Sequence, residues 1–259
     1  MAVSQPNDST KNAHTSNSKN EKKIEKDKIM REEFLDNASH ELKTPLTQIY
    51  TAAQLLKEFD LEEDKKELIN LILNGSEKLK FLLNNFLEYS KFDDKQAGDN
   101  NLEKKEQNIV SVIKNCVEEL QFFINGRNHQ IQLDLPEKLI IKFDKLRIEQ
   151  VITNLITNAI KYTPPKGMIK ISLKKKQTHI VISVKDNGIG LTKKEIKKLF
   201  KKFTVLERGK ALNHDDYMAG TGLGLYLSKK IIDSHGGKIW VKSEGVNQGS
   251  TFFIELPYD

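Results

Sequence analysis

The chain has 259 residues and is poor in cysteine, in apolar residues and in long hydrophobic runs. Its one cysteine, Cys116, excludes an internal disulfide framework and fits a reducing compartment. Apolar residues make up 37%, which is low for a single compact domain and fits a polar tail and an exposed helical part beside an ordinary core. No run reaches the roughly 18 apolar residues that a membrane-spanning helix needs, and the first residues lack the apolar centre of a signal peptide. A one-sided charge is missing too. Lys plus Arg number 42 against 36 for Asp plus Glu, a net charge of +6, and the two signs are interleaved as on a solvated surface. The densest basic group, from Lys193 to Lys202, reads either as a solvated helix face or as an attractor of anions, and no nucleic-acid motif accompanies it.

Residues 1–21 are mostly Ser, Thr, Asn and Lys and are expected to form a disordered tail. A charged helix then runs into heptads. Leu35, Leu42, Ile49 and Leu56 recur in one seam position, and Ala38, Pro45, Ala52 and Phe59 in the other. In that register His40 lies opposite the seam, with Glu41 beside it and Thr44 one turn on the same face. Pro45 cannot donate to the carbonyl of Glu41, so a bend is expected just after the histidine. Taken alone, His40 reads as an ordinary surface histidine. After a connection at 61–64, a second stripe runs through Leu68, Ile72, Gly75, Leu79, Leu82, Phe86 and Tyr89. One helical hairpin cannot bury both stripes, so residues 22–94 are expected to pair with a second copy as a four-helix bundle, making the protein a homodimer.

A polar linker is expected at 95–105, and from 106 to 259 strands and helices mix irregularly. The patterns predict helices over 109–123, 144–162 and 221–235 and a short helix capped by Thr192. Strands are predicted at 130–135, 139–143, around 169–173 and 180–184, at 238–242 and at 250–256. This is a two-layer α/β sandwich with helices on one face.

Three groups in this second part suit a nucleotide. Arg147, Asn154, Asn158 and Lys161 cluster on one face of a helix whose opposite side carries Ile148, Ile152, Leu155 and Ala159. The asparagine oxygens suit Mg²⁺, and the cations suit phosphate; a solvated polar face is the alternative. Asp186-Asn-Gly188-Ile-Gly190 follows a strand. It reads as a plain turn, or as a carboxylate that accepts from an adenine amine beside glycines that let a flat ring come close. Gly220-Thr221-Gly222-Leu223-Gly224 opens a helix, where backbone N–H groups suit phosphate, yet it is neither a Walker loop nor a Rossmann fingerprint. Between Thr204 and Ala219, a stretch without clear periodicity holds Arg208, Lys210 and His214 and reads as a lid over the site.

Each signal is weak alone, but their order and spacing are specific together. From about Lys22 to Pro257 the chain resembles the sensor histidine kinases of two-component systems. His40-Glu41-Leu-Lys-Thr44-Pro45 is similar to their phosphoacceptor box, with Lys43 where arginine is more usual. Asn154 to Thr163 resembles the N box, Asp186 to Gly190 the first glycine box, and Leu199 to Phe203 the F box. Gly220 to Leu225 resembles the second glycine box and Gly249-Ser-Thr251-Phe the last strand motif.

The resemblance implies a Bergerat-type ATP-binding domain behind the helical hairpin. In it Asp186 and Thr251 would serve adenine, and Asn158, with Asn154 near, would hold Mg²⁺. Lys161 and Tyr162 would meet phosphates, Gly188 and Gly190 would let the adenine ring approach, Gly220, Gly222 and Gly224 would line the lid hinge, and Thr221 and Leu223 would join them in binding the nucleotide, with Arg208 a further phosphate candidate. It also implies ATP-dependent phosphorylation of His40 with Glu41 as orienting base, transfer to an aspartate of a response regulator, and dephosphorylation of that regulator with Thr44 positioning water. Tyr50, Thr51 and Gln54 would face the regulator. A cytoplasmic protein is expected, or the cytoplasmic portion of a membrane-bound sensor, with no nucleic-acid partner. Three readings compete: a nucleotide-regulated phosphatase or scaffold, which the intact His40, Glu41, Asn158 and Asp186 oppose; a chaperone- or topoisomerase-type ATPase, which would need a glutamate near Asn154; and a nucleic-acid module, which would need a clustered basic patch.

Overall fold

The structure, a computed structural model, describes residues 42–56, single residues or short runs between 65 and 83, 102–205 and 222–258. His40, Glu41, the tail, residues 95–101 of the expected linker, Arg208, Lys210, His214, Gly220 and Thr221 therefore lie outside the described residues. The chain divides into two compact units, Met1–Leu79 and Lys80–Asp259.

In the first unit, helix α1 (42–56) is continuous across Pro45, and helix α2 comprises the described helical residues between 65 and 79. Pro45 and Ala52, one heptad apart, are buried, as are Leu68 and Gly75 on the second stripe. Gly75 marks the crossing of the two helices. A Cβ there would lie 2.7 Å from Ile49 Cγ1 and 2.9 Å from the Pro45 carbonyl oxygen, so only glycine allows this approach. The other seam residues of α1, Leu42, Ile49 and Leu56, stay half-buried.

The second unit runs β1 (Lys105–Asn108), α3 (Ile109–Glu119), α4 (Gln121–Gly126), β2 (Gln130–Asp134), β3 (Ile140–Phe143), α5 (Lys145–Tyr162), β4 (Met168–Lys175), β5 (His179–Asp186), α6 (Lys193–Ile196), α7 (Gly224–Ser234), β6 (Lys238–Lys242) and β7 (Ser250–Pro257). Five strands form one sheet in the order β2-β4-β5-β7-β6, while β1 and β3 pair apart from it. β2 runs parallel to β4, and every other pairing is antiparallel.

Alternation sorts the sheet into two faces. Ile169, Ile171 and Leu173, Ile180, Ile182 and Val184, and Phe252, Ile254 and Leu256 are buried on the inner face. Helix α5 lies over it, packed against β5, α3 and α7. Ile148, Ile152, Leu155 and Ala159 form the buried stripe of α5, each no more than 2% exposed. Burying each of the three larger ones contributes about 1.5–3 kcal/mol. Asp144 starts this helix by accepting from the Arg147 N–H at 3.2 Å, and its other oxygen accepts from the Glu103 N–H at 3.1 Å.

Three local expectations change. The helix expected over 109–123 breaks at Leu120 into α3 and α4, with Leu120 at φ −92°, ψ 3°. α7 begins at Gly224 rather than 221, because Gly222 has φ +70°, a left-handed conformation that no right-handed helix accommodates. β1, which begins at the last residue of the expected linker, is wholly polar, and its existence depends on pairing with β3.

Candidate nucleotide site

Asp186 ends β5 on the inner face and is 4% exposed. Its Oδ2 accepts from the Ser250 hydroxyl at 2.6 Å, and its Oδ1 accepts from the N–H groups of Gly188 at 2.8 Å and Ser250 at 3.2 Å. Burial pushes the carboxyl up from its ordinary value, while the bonds from Ser250 and Gly188 pull the other way. A buried carboxylate fixed in this way is of the type that suits a ligand amine.

The glycines after Asp186 answer to crowding. A Cβ on Gly188 would run into the Tyr162 carbonyl and sit 2.8 Å from Asp186 Oδ1. The Ile189 N–H meanwhile donates to that same carbonyl at 3.1 Å, so the turn is stitched to the C-terminal end of α5. Gly190 bridges to Val246, and a side chain there would strike the Gly245 carbonyl, so its role is to pass a neighbouring loop.

On α5, the Asn158 amide donates to Asn154 Oδ1 at 3.4 Å, and the Asn154 amide donates to Ser228 Oγ of α7 at 2.9 Å. Gly224, at the first turn of α7, leaves room for the Asn154 side chain; a Cβ would fall on its amide, 2.9 Å from Cγ. Lys161 is buried on the same helix, with Nζ 5.2 Å from the centre of the Tyr162 ring. Burial pushes the Tyr162 phenol up to about 12. Gly222 packs on the backbone of Phe203, joining the F-box segment to the start of α7, and Leu223 is fully buried, so its side chain belongs to the core.

One expected residue lies elsewhere. Thr251 pairs with Lys185, and both alternate onto the outer face, away from Asp186. Ser250, paired with Asp186, occupies the inner face. The buried alternation of Phe252 and Ile254 already carried that parity. Ser228, one turn past Gly224, and His235 were also missed. His235 is buried, donates from Nδ1 to the Ile231 carbonyl at 2.8 Å, and accepts at Nε2 from the Asp144 N–H at 3.2 Å, tying the end of α7 to the start of α5.

Magnesium fits this donor set in one way. Among the described residues no cluster of three or more His, Cys, Asp or Glu could hold a metal. A hard cation would rely on an asparagine oxygen plus oxygens of a phosphate and water. Asn158 Oδ1 lies outside the chain of bonds to Ser228, so it is the suited atom.

Residues 143–259 match the family of histidine kinase-, DNA gyrase B- and HSP90-like ATPases, and residues 30–95 match the His kinase A (phospho-acceptor) domain. Sensor histidine kinase WalK of Bacillus subtilis (strain 168) is 33% identical over 235 residues, which are 88% of this chain and 37% of that protein. Sensor protein kinase WalK of Staphylococcus aureus is 32% identical over 233 residues, 88% of this chain and 54% of that protein. The chain thus spans between 37% and 54% of the length of these relatives. Among solved structures, the catalytic domain of histidine kinase ThkA superposes with a TM-score of 0.53 at 32% identity, over 60% of this chain and 98% of that one. ThkA in complex with response regulator protein TrrA gives a TM-score of 0.58 at 29% identity, over 92% of this chain and 66% of that one. A helical phosphoacceptor region followed by an α/β ATPase sandwich, with a buried aspartate and paired asparagines where this family's boxes fall, identifies the chain as a member of the sensor histidine kinases.

Proposed function

We propose that this chain transfers the γ-phosphoryl group of ATP to His40 and passes it on to an aspartate of a response regulator. The observation that carries the reading is the buried Asp186 carboxylate, fixed by Ser250 and Gly188 on the sheet face that α5 covers. In this reading Asp186 accepts from the adenine amine, with Ser250 as its partner, and Lys161 and the backbone at Gly222 and Gly224 serve the phosphates. Asn158 would hold Mg²⁺, which would supply positive charge against the phosphates. The phosphoryl step itself is mostly positioning and charge compensation, which these groups suit.

Neutral His40 attacks phosphorus through a ring nitrogen, the bond to the bridging oxygen of ADP breaks, and Glu41 takes the ring proton. Thr44, one turn on, positions water when the regulator is dephosphorylated. Residues 22–94 act as a homodimeric four-helix bundle; the half-buried Leu42, Ile49 and Leu56 and the exposed Ile69 and Leu73 support it, since one hairpin leaves them partly in water.

Labelling with γ-phosphate-labelled ATP and Mg²⁺, in wild type and His40→Gln, tests the reading. Acid-labile, base-stable label on wild type alone is the expected result. Label on both proteins would move the acceptor elsewhere, and no label on wild type that still binds ATP would leave the phosphatase or scaffold reading.

A further inference from the structure

We infer that Ser228 is a positioning residue that sets which end of the Asn158 amide faces the cation of a bound nucleotide; this rests on the reading of Asn158 as the Mg²⁺ ligand. An asparagine amide has two chemically opposite ends, an oxygen that binds cations and an NH₂ group that repels them. Nothing in the side chain's shape chooses between them, so its hydrogen bonds must.

Here the choice is made by a relay. Ser228 Oγ accepts from Asn154 Nδ2 at 2.9 Å, which turns Asn154 Oδ1 toward Asn158. Asn154 Oδ1 then accepts from Asn158 Nδ2 at 3.4 Å, which leaves Asn158 Oδ1 for the ligand. The relay is anchored at its far end. Ser228 is 2% exposed, on the buried side of α7 with Leu227, Ile231 and Ile232, so its hydroxyl cannot be replaced by bulk water. Gly224, one turn before it, presses backbone against the Asn154 amide and keeps that side chain between the two helices.

Without the hydroxyl, Asn154 Nδ2 is a buried donor facing a methyl group. Turning the amide over relieves that donor but presents NH₂ to the NH₂ of Asn158, which then turns over too and directs its donor at the cation. The loss therefore falls on the metal-bound form of the nucleotide. Residues that orient a metal ligand contribute about 10–100-fold to affinity.

The full chain is titrated calorimetrically with a non-hydrolysable ATP analogue, once with Mg²⁺ and once with EDTA, for wild type, Ser228→Ala, Ser228→Thr and Asn158→Ala. Ser228→Ala is expected to weaken the Mg²⁺ complex about tenfold or more, while metal-free binding stays within about twofold. Ser228→Thr, which retains the hydroxyl, is expected to restore the Mg²⁺ dependence. Equal weakening with and without metal, or the same loss in Ser228→Thr as in Ser228→Ala, would reduce Ser228 to a packing residue. Abolished Mg²⁺ dependence in Asn158→Ala with none lost in Ser228→Ala would overturn this inference alone. Unchanged Mg²⁺ dependence in Asn158→Ala would overturn the metal site and the inference with it.

Discussion

The Oδ2 of Asp186 lies 2.6 Å from the hydroxyl of Ser250, across the pairing of β5 with β7. This bond fixes the carboxylate from the sheet side, and in the proposed reading its remaining direction serves the adenine amine. Asp186→Asn keeps the shape but replaces one acceptor with a donor that would face both the ligand amine and the donors that now hold it. ATP affinity is expected to fall at least tenfold, about 1.4 kcal/mol, and the melting temperature by a few degrees, since a buried donor set against donors costs about 1–3 kcal/mol, as read by calorimetric titration and thermal melts.

Ser250 and Thr251 separate by the same geometry. Ser250→Ala removes one of the donors to Asp186 and should weaken ATP binding several-fold. Thr251→Ala, on the outer face with Lys185, should leave it unchanged. Equal losses in the two titrations would mean that the register seen here does not govern the proposed adenine contact.

Much of this was legible in the sequence. Helix α5 was found within a residue because its apolar stripe, its Asp144 cap and the strands around it agree, and β6 because Ile239 and Val241 alternate with polar neighbours. The candidate site residues were legible as residue types placed where a helix or strand presents them. What escaped was set by neighbours distant in sequence. Ser228 matters only because α7 lies against α5, and β1 is a strand only because β3 pairs with it. Thr251 is expected beside Asp186 from the motif alone, whereas the parity of Phe252 and Ile254, followed back to the strand's start, puts Ser250 on that face.

Burial also governs Cys116, whose thiol is pushed up to about 11, chiefly by desolvation. It sits on the buried side of α3 and is 1% exposed. A thiol-reactive dye at pH 8 is expected to leave it unmodified in the native protein and to react fully in denaturant, because the thiolate is the reactive form. Fast native labelling would show that α3 opens readily.

His235 makes stability depend on acid. Burial pushes its pKa down, helped by Lys104 and opposed by the Ile231 bond and Asp144. Its Nε2 accepts from the Asp144 N–H, a bond that only the neutral ring can make. A folded pKa below the unfolded one gives stability that is full above about pH 6.5 and lost as pH falls toward the folded value. His129, also buried and shifted down, adds in the same direction. Urea midpoints should drop between pH 7.5 and 5.5, and His235→Gln should drop less over that interval. An identical pH slope in the variant would show that the His235 side chain takes up protons alike in the folded and the unfolded chain.

Gly75 sets two opposing effects against each other. Replacing a mid-helix glycine by alanine favours helix by about 1 kcal/mol through the unfolded chain. Here the added methyl would lie 2.7 Å from Ile49 Cγ1 and 2.9 Å from the Pro45 carbonyl oxygen, and the carbonyl belongs to the backbone of α1 and cannot swing aside. Overpacking of that kind costs about 1–3 kcal/mol, so separation of α1 from α2 should outweigh the propensity gain. Gly126, the last residue of α4, is the control, since a methyl there meets nothing within 4 Å. In helix-monitored thermal melts of the full chain, Gly75→Ala should unfold at lower temperature than wild type and Gly126→Ala at the same or a higher one. A Gly75→Ala protein as stable as wild type would mean that the two helices of the hairpin have room to spare at their crossing.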